Sequence, residues 1–264
     1  VHPEPKKSLG QNFLTDKTIA RRIVSAANLN PSDCVIEIGP GTGALTHQLV
    51  QLCKQVIAIE LDQRLIETLP THPSLTIIHA DALEINFAEL VAQHTPKIQP
   101  PVVYVANLPY YITSAIIRHI LENPLPAKAI VLMMQLEVAQ RIVAQPGDLS
   151  LLAISVQFYG TPELLFRVPP SAFKPQPGVD SAVVRIIPHS HKPNIEPDQF
   201  FAVTKAGFCQ PRKQLRNTLA SGLSLTKAKA ESWLKTAGVA PERRAETLTI
   251  EEWIRLTQLR EVAD

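Results

Sequence analysis

The sequence predicts an open, doubly wound α/β sheet followed by a small all-helical domain. Five short runs rich in Val and Ile recur through the first two thirds of the chain, and segments with apolar residues at spacings of three and four separate them. Strands that are apolar along their whole length and alternate with helices belong to a parallel sheet covered on both faces. After residue 198 only helical spacings remain.

In chain order, a helix is expected over 15–28, then strands at 34–39 (CVIEIG), 55–60 (QVIAIE), 75–80 (LTIIHA), 102–108 (VVYVANL) and 128–134 (KAIVLMM). Segments 43–53 and 112–122 supply helices between them. Two further runs, LAISVQFYG (152–160) and AVVRIIP (182–188), have no clear helix between them, only the proline-rich RVPPSAFKPQPGV. They are expected to pair antiparallel at a sheet edge across a long stiff loop. PHSHKPNIEPD (188–198) reads as a linker, and helices are expected at about 198–209, 211–221, 226–237 and 249–260. Two domains result, 1–190 and 191–264.

With 264 residues, 45% of them hydrophobic and 19% charged, the chain can bury a sizeable core and is not a wholly disordered one. Apolar runs such as AIVLMM are far shorter than a membrane span, and VHPEPKKSLG lacks the apolar core of a signal peptide. Cys34, Cys53 and Cys209 are too scattered for a zinc knuckle or a disulfide framework, so a reduced, cytoplasmic protein without a bound metal is expected. Residues 1–184 carry 13 Lys/Arg against 15 Asp/Glu, whereas residues 185–264 carry 13 against 9. The basic tail fits a phosphate-facing surface, and equally a solvated helical one.

The first strand ends in Glu37-x-Gly39-x-Gly41-x-Gly43. Glycines allow a sharp turn and a close backbone approach to a nucleotide at the carboxyl edge of such a sheet. Seventeen residues after Gly43, Glu60 ends the second strand, where a carboxylate can accept both hydroxyls of a ribose; Asp62 reads as the N-cap of the next helix. Asp81, after the third strand, either accepts from the amino group of an adenine, with the Ala82 N–H on a ring nitrogen, or caps a helix. No Lys-Ser/Thr pair follows the glycines, which excludes a Walker-type loop, and the G-x-G-x-x-G spacing of dehydrogenases is absent.

The fourth strand ends in Asn107-Leu108-Pro109-Tyr110. Together with Glu37-x-Gly39-x-Gly41-x-Gly43, Glu60 and Asp81, this tetrapeptide resembles the motifs of S-adenosylmethionine-dependent methyltransferases acting on adenine N6. Over nearly its whole length the chain is similar to the KsgA/RsmA family of small-subunit ribosomal RNA adenine dimethyltransferases, relatives of the Erm enzymes that methylate large-subunit RNA. KKSLGQNFL (6–14), QLEVAQRIVAQPG (135–147), FKPQPGVDSAV (173–183), RKQLRNTL (212–219) and RRAETLTIEEW (243–253) carry the likeness.

The resemblance implies a Rossmann-like catalytic domain with a C-terminal RNA-binding domain. It also implies S-adenosylmethionine as methyl donor, and an assembling 30S subunit as partner, with two adjacent adenines near the 3′ end of its RNA as targets of a monomeric enzyme. Asn12, Leu14 and Gly39 would surround the methionine end of the donor, Gly41 would approach it from the glycine turn, Glu60 would hold the ribose, Asp81 with Ala82 the adenine, and Asn107 would sit between donor and target. Adenine N6 is a poor nucleophile because its lone pair is delocalised into the ring. Acceptance of its two N–H bonds by the Asn107 side chain and the Leu108 carbonyl, fixed by Pro109, would aim that lone pair at the methyl group. Tyr110 and Phe173 would sandwich the base, as suits a nucleotide taken out of its stack. Lys205, Arg212, Lys213, Arg216, Arg243 and Arg244 fit phosphate contacts that position RNA without reading sequence. An Erm-like enzyme and an assembly factor with secondary methylation activity are the alternatives. Gly178, Pro211 and the short loop after Gly147 depart from the family pattern on the RNA-facing side.

Overall fold

The computed structural model describes residues 3–6, 9–95, 101–191 and 193–260. It forms two compact units, Val1–Ala139 with Gly160–Pro188, and Gln140–Tyr159 with His189–Asp264. Lys7 and Ser8 of KKSLGQNFL and Lys192 of the expected linker lie outside the described residues.

The first unit opens with β1 (Phe13–Leu14) and α1 (Lys17–Ala26). Asp16 starts α1 by accepting the N–H groups of Thr18 and Ile19, and Ile19, Ala20, Ile23 and Val24 form its buried stripe. Then follow β2 (Cys34–Ile38), α2 (Thr46–Leu52), β3 (Gln55–Glu60), α3 (Gln63–Ile66), β4 (Leu75–His79) and α4 (Phe87–His94). After them come β5 (Val102–Asn107), α5 (Thr113–Glu122), β6 (Ala127–Gln135) and α6 (Leu136–Ile142), whose residues from Gln140 on fall in the second unit. Every residue of β2 is buried, as is β5 up to Ala106. Their continuous Val and Ile runs are therefore central strands with apolar neighbours on both faces.

The sheet runs β4-β3-β2-β5-β6-β9-β7, where β7 is Gly160–Val168 and β9 is Ser181–Pro188. The first five strands are parallel, and β9 lies antiparallel between β6 and β7. β8 (Phe173–Lys174) pairs separately with β1, setting Leu14 opposite Phe173.

Two sequence expectations change here. LAISVQFYG is not a strand: Leu151–Tyr159 is a helix, α7, and the edge strand that pairs antiparallel with β9 begins one residue later, at Gly160. The proline-rich stretch is correspondingly shorter as a loop, because its Arg167 and Val168 complete β7 and its Phe173 and Lys174 form β8. Ile154, Val156 and Phe158 are all buried, so a helix embedded in apolar surroundings shows the same alternation as a strand. Residues 140–159 consequently group with the second unit rather than with the sheet.

The second unit is helical: α7, α8 (Pro197–Gly207), α9 (Leu215–Gly222), α10 (Lys227–Thr236) and α11 (Ile250–Gln258). Phe158 of α7 stacks on Phe200 of α8 with ring centroids 4.2 Å apart, and Trp233 and Trp253 complete the core. Thr249 and Glu252 form a reciprocal capping box at the start of α11. A Cβ at Gly207 would run into the six-membered ring of Trp253. Gly207→Ala is therefore expected to cost about 1–3 kcal/mol and to lower the thermal midpoint of this unit, measured by tryptophan fluorescence; an unchanged midpoint would show that Trp253 has room to move. Among the described residues no helix is long and apolar enough to cross a membrane.

Candidate active site

From β2 the chain moves outward through β3 and β4, then returns to place β5 on the other side of β2. The crevice outside the carboxyl ends of these strands, at such a reversal of strand order, is where open α/β sheets bind ligands. Here it is a cavity of about 260 Å³. Gly39 and Gly41 after β2, Glu60 on β3, Asp81 and Ala82 after β4, and Asn107 to Tyr110 after β5 all line it. So do Asn12 and Leu14 from the N-terminal segment and Phe173 from β8.

The glycine turn works through its backbone. Gly39, Gly41 and Gly43 have φ of +65°, +59° and +84°, values that disfavour side chains. A Cβ at Gly39 would meet nothing closer than the Asn107 carbonyl oxygen at 4.0 Å, so the missing side chain leaves open space beside the end of β5. The Gly41 N–H donates to Glu60 Oε2 at 3.0 Å, and the Asp62 N–H donates to Glu60 Oε1 at 2.9 Å. Both oxygens of Glu60 are thereby fixed, each with a lone pair left for a further donor. Burial raises the Glu60 carboxyl above its ordinary value, and these N–H groups oppose the rise.

Asp81 Oδ1 accepts the Leu83 N–H at 2.9 Å, the local turn that the sequence allowed for. Its other oxygen accepts no hydrogen bond among the described residues. Asn107 Nδ2 donates to the Asn12 carbonyl at 3.3 Å, which fixes the amide with Oδ1 as the end left for a donor. Behind it, Leu108 is buried and its N–H donates to the Met133 carbonyl at 3.1 Å. Tyr110 is tethered through its hydroxyl to Ser181 Oγ at 2.8 Å, and burial raises its pKa. Phe173 is only 3% exposed and belongs to the same buried apolar cluster as Leu14 and Ala172.

Sequence reasoning quoted Glu37 in the glycine motif but gave it no place in the site. It lines the cavity at 1% exposure, accepts the Thr46 hydroxyl on Oε2 at 2.7 Å, and leaves Oε1 without a partner. Burial pushes its pKa up to about 8. The unfolded chain ionises Glu37 near 4.5, so stability from this group is full below that value, falls as pH rises toward 8, and then levels off. Glu37→Gln is expected to flatten the decline between pH 5 and pH 8 in urea-denaturation midpoints; the same decline in both proteins would contradict this. The signal available in the sequence was a lone acid inside an otherwise apolar strand.

Asp62 does cap α3, accepting the Arg64 N–H at 3.3 Å. It also binds the Arg64 side chain, whose hydrogen bonds hold its carboxyl well below the usual range, with Gln11 and Lys6 adding to the effect.

In the second unit Lys205, Arg212 and Lys213 are exposed, with no ion pair among the described residues. Arg244 is exposed and 3.9 Å from Glu246, while Arg216 lies 3.9 Å from Glu231 and 3.8 Å from Glu242. Arg243 is held by partners within its own unit. Its guanidinium donates to both oxygens of Glu252 and to the hydroxyl and carbonyl of Thr247. It ties the turn before α11 to that helix, and its charge is already answered by a bidentate carboxylate.

The family model described as "Ribosomal RNA adenine dimethylase" matches residues 3–261. A ribosomal RNA small subunit methyltransferase A of Dehalococcoides mccartyi (strain CBDB1) is 46% identical over 257 residues, covering 95% of this chain and 87% of that protein. One from Lysinibacillus sphaericus is 44% identical over 262 residues, covering 95% and 89%. Among solved structures, a dimethyladenosine transferase from Plasmodium falciparum superposes with a TM-score of 0.78 at 26% identity, covering 95% of this chain and 98% of the other. The 23S rRNA methyltransferase ErmE does so with a TM-score of 0.70 at 29% identity, covering 95% and 100%. With the glycine turn, the carboxylates and the Asn-Leu-Pro-Tyr end of β5 on one cavity, and a family model matched along almost its entire length, the chain belongs to the ribosomal RNA adenine dimethylase family.

Proposed function

We propose that the protein transfers methyl groups from S-adenosylmethionine to N6 of two adjacent adenines in the 3′-terminal hairpin of small-subunit ribosomal RNA, acting as a monomer in the cytoplasm on a late 30S assembly intermediate. The observation that carries this reading is Asn107, whose amide is held by the Asn12 carbonyl so that Oδ1 is left for a donor on the same cavity as Glu60 and Asp81.

The cavity fits the donor. Glu60 keeps a lone pair on each oxygen for the ribose hydroxyls, Asp81 keeps one oxygen for an exocyclic amine, and the open space at Gly39 admits a close approach to the backbone. Two carboxylates lining one cavity also favour a cationic ligand. When bound, S-adenosylmethionine supplies a methyl group on a positively charged sulfur.

The chain's own part is to hold and aim. Asn107 Oδ1 and the Leu108 carbonyl accept the two N6–H bonds, drawing the nitrogen toward a tetrahedral shape with its lone pair directed along the transfer line. Pro109, with φ of −56°, fixes the step between strand and turn. Tyr110, steadied by Ser181, offers a ring face to the base, and Phe173 closes the opposite side. No side chain needs to remove a proton during transfer, since the methylated amine releases it to water afterwards, and the rate advantage comes from alignment. Lys205, Arg212, Lys213, Arg216 and Arg244 provide the phosphate contacts.

The likeness to ErmE keeps large-subunit RNA as the competing substrate, while the relatives at 44–46% identity named for the small subunit favour the first reading. The test is a competition in which unmethylated small and large subunits are offered together with labelled donor. Label in small-subunit RNA alone supports the proposal, and label in large-subunit RNA overturns it.

A further inference from the structure

Two tyrosines follow Pro109 on the 3₁₀ turn Tyr110–Ile112, and they meet different surroundings. A 3₁₀ helix has three residues per turn, so neighbouring side chains point about 120° apart. Tyr110 is half-buried, with its hydroxyl on Ser181 Oγ at 2.8 Å. Tyr111 is 60% exposed, and its side chain has no hydrogen bond or ring contact among the described residues.

Tyr111 nevertheless lines the cavity that holds Glu60, Asp81 and Asn107. Six large hydrophobic side chains stand exposed among the described residues, and of these only Leu61 and Tyr111 line the cavity. Leu61 follows Glu60, on the side assigned to the ribose, whereas Tyr111 follows Tyr110, on the side assigned to the target base. A side chain that lines a cavity while most of its surface meets solvent stands at the rim.

Packing, not a polar tether, sets the place of this ring. A Cβ at Gly10 would stand 3.2 Å from Tyr111 Cδ1 and 3.5 Å from Cε1, so the bare glycine makes room for that flank of the ring. The Thr113 hydroxyl donates to the Pro109 carbonyl at 3.2 Å and ties the turn to α5. An aromatic ring already placed loses little freedom when a flat partner covers it. A nucleotide drawn out of its stack uncovers a face of its neighbour, and every base has a π face that suits such a ring.

We propose that Tyr111 stacks on the base next to the flipped adenine, replacing part of the stacking that flipping removes and so setting how tightly the RNA is held. The inference rests on the proposed function and deepens it, by adding a subsite for a second base at the rim of the same cavity.

Tyr111→Ala is expected to raise KM for unmethylated small subunits about tenfold, as for loss of one base–aromatic contact, with kcat at saturation and donor affinity by calorimetry within about twofold of native. Tyr111→Phe should keep the native KM. Two further substrates, small subunits reconstituted with one or the other of the paired adenines made abasic, retain one target each. The penalty of Tyr111→Ala should vanish on the subunit that lacks the stacking base and persist on the other. A penalty that persists on both assigns Tyr111 to a different contact, such as a ribosomal protein, and overturns the proposal. So does Tyr111→Ala with a KM within about twofold of native on the unaltered subunit, or Tyr111→Phe as impaired as Tyr111→Ala. If the native chain labels no small-subunit adenine, the proposed function falls and this inference with it; labelling that Tyr111→Ala leaves unchanged removes the inference alone.

Discussion

Asn107→Ala is expected to lower kcat by about 10²–10³-fold, the usual cost of removing one preorganised polar group from a transition-state site. The loss should fall on chemistry, because Glu60, Asp81 and the glycine turn remain to hold the donor. Asn107→Asp sharpens the test. It keeps an oxygen at the right place but sets a carboxylate against the Asn12 carbonyl, which now lies 3.3 Å from a donating Nδ2. If an acceptor alone were sufficient, the aspartate would work; if the fixed amide matters, both variants fail. Single-turnover transfer, measured beside donor affinity by calorimetry, separates the two. Retention of more than about a tenth of the native rate by Asn107→Ala would remove Asn107 from its assigned role.

Glu60→Gln is expected to weaken donor binding about as much as Glu60→Ala does, on the order of 10²-fold. Glutamine is nearly the same size, so the reason lies in hydrogen-bond polarity. Both Glu60 oxygens accept backbone N–H groups, from Gly41 and Asp62. An amide must present its NH₂ to one of them, donor against donor, and the turn that carries Gly39 and Gly41 is then unsupported. Calorimetric titration with S-adenosylmethionine measures the effect. A glutamine variant that binds within about fivefold of the native chain would show that neither the backbone clamp nor the ribose needs a carboxylate here.

Much of the sheet was legible because Val/Ile runs in parallel strands leave few other readings, and the helices of the second unit were legible through their spacing. The failure at 152–160 has a physical cause: α7 is buried broadly enough that Ile154, Val156 and Phe158 mimic strand alternation. β7 was hidden for the opposite reason. It is an edge strand, mostly half exposed, and contains Pro162, which only an edge tolerates. Within the site, Gly39, Glu60 and Asn107 announced themselves by their position at strand ends. The contact between Asp62 and Gln11 did not, since 51 residues separate them and only the fold brings them to 3.1 Å. The pairing of Arg243 with Glu252 was not legible, because sequence gives the charge of Arg243 but not the carboxylate nine residues on that the fold sets beside it.

The identity of the methylated nucleoside tests the central claim most directly. Small ribosomal subunits lacking adenine methylation, incubated with the purified protein and labelled S-adenosylmethionine, would be digested to nucleosides and separated. Label in N6,N6-dimethyladenosine, abolished by Asn107→Ala, is the result expected from an amide aimed at an exocyclic amine. Label in any nucleoside other than an N6-methylated adenosine, or full labelling by the Asn107→Ala variant, would contradict it.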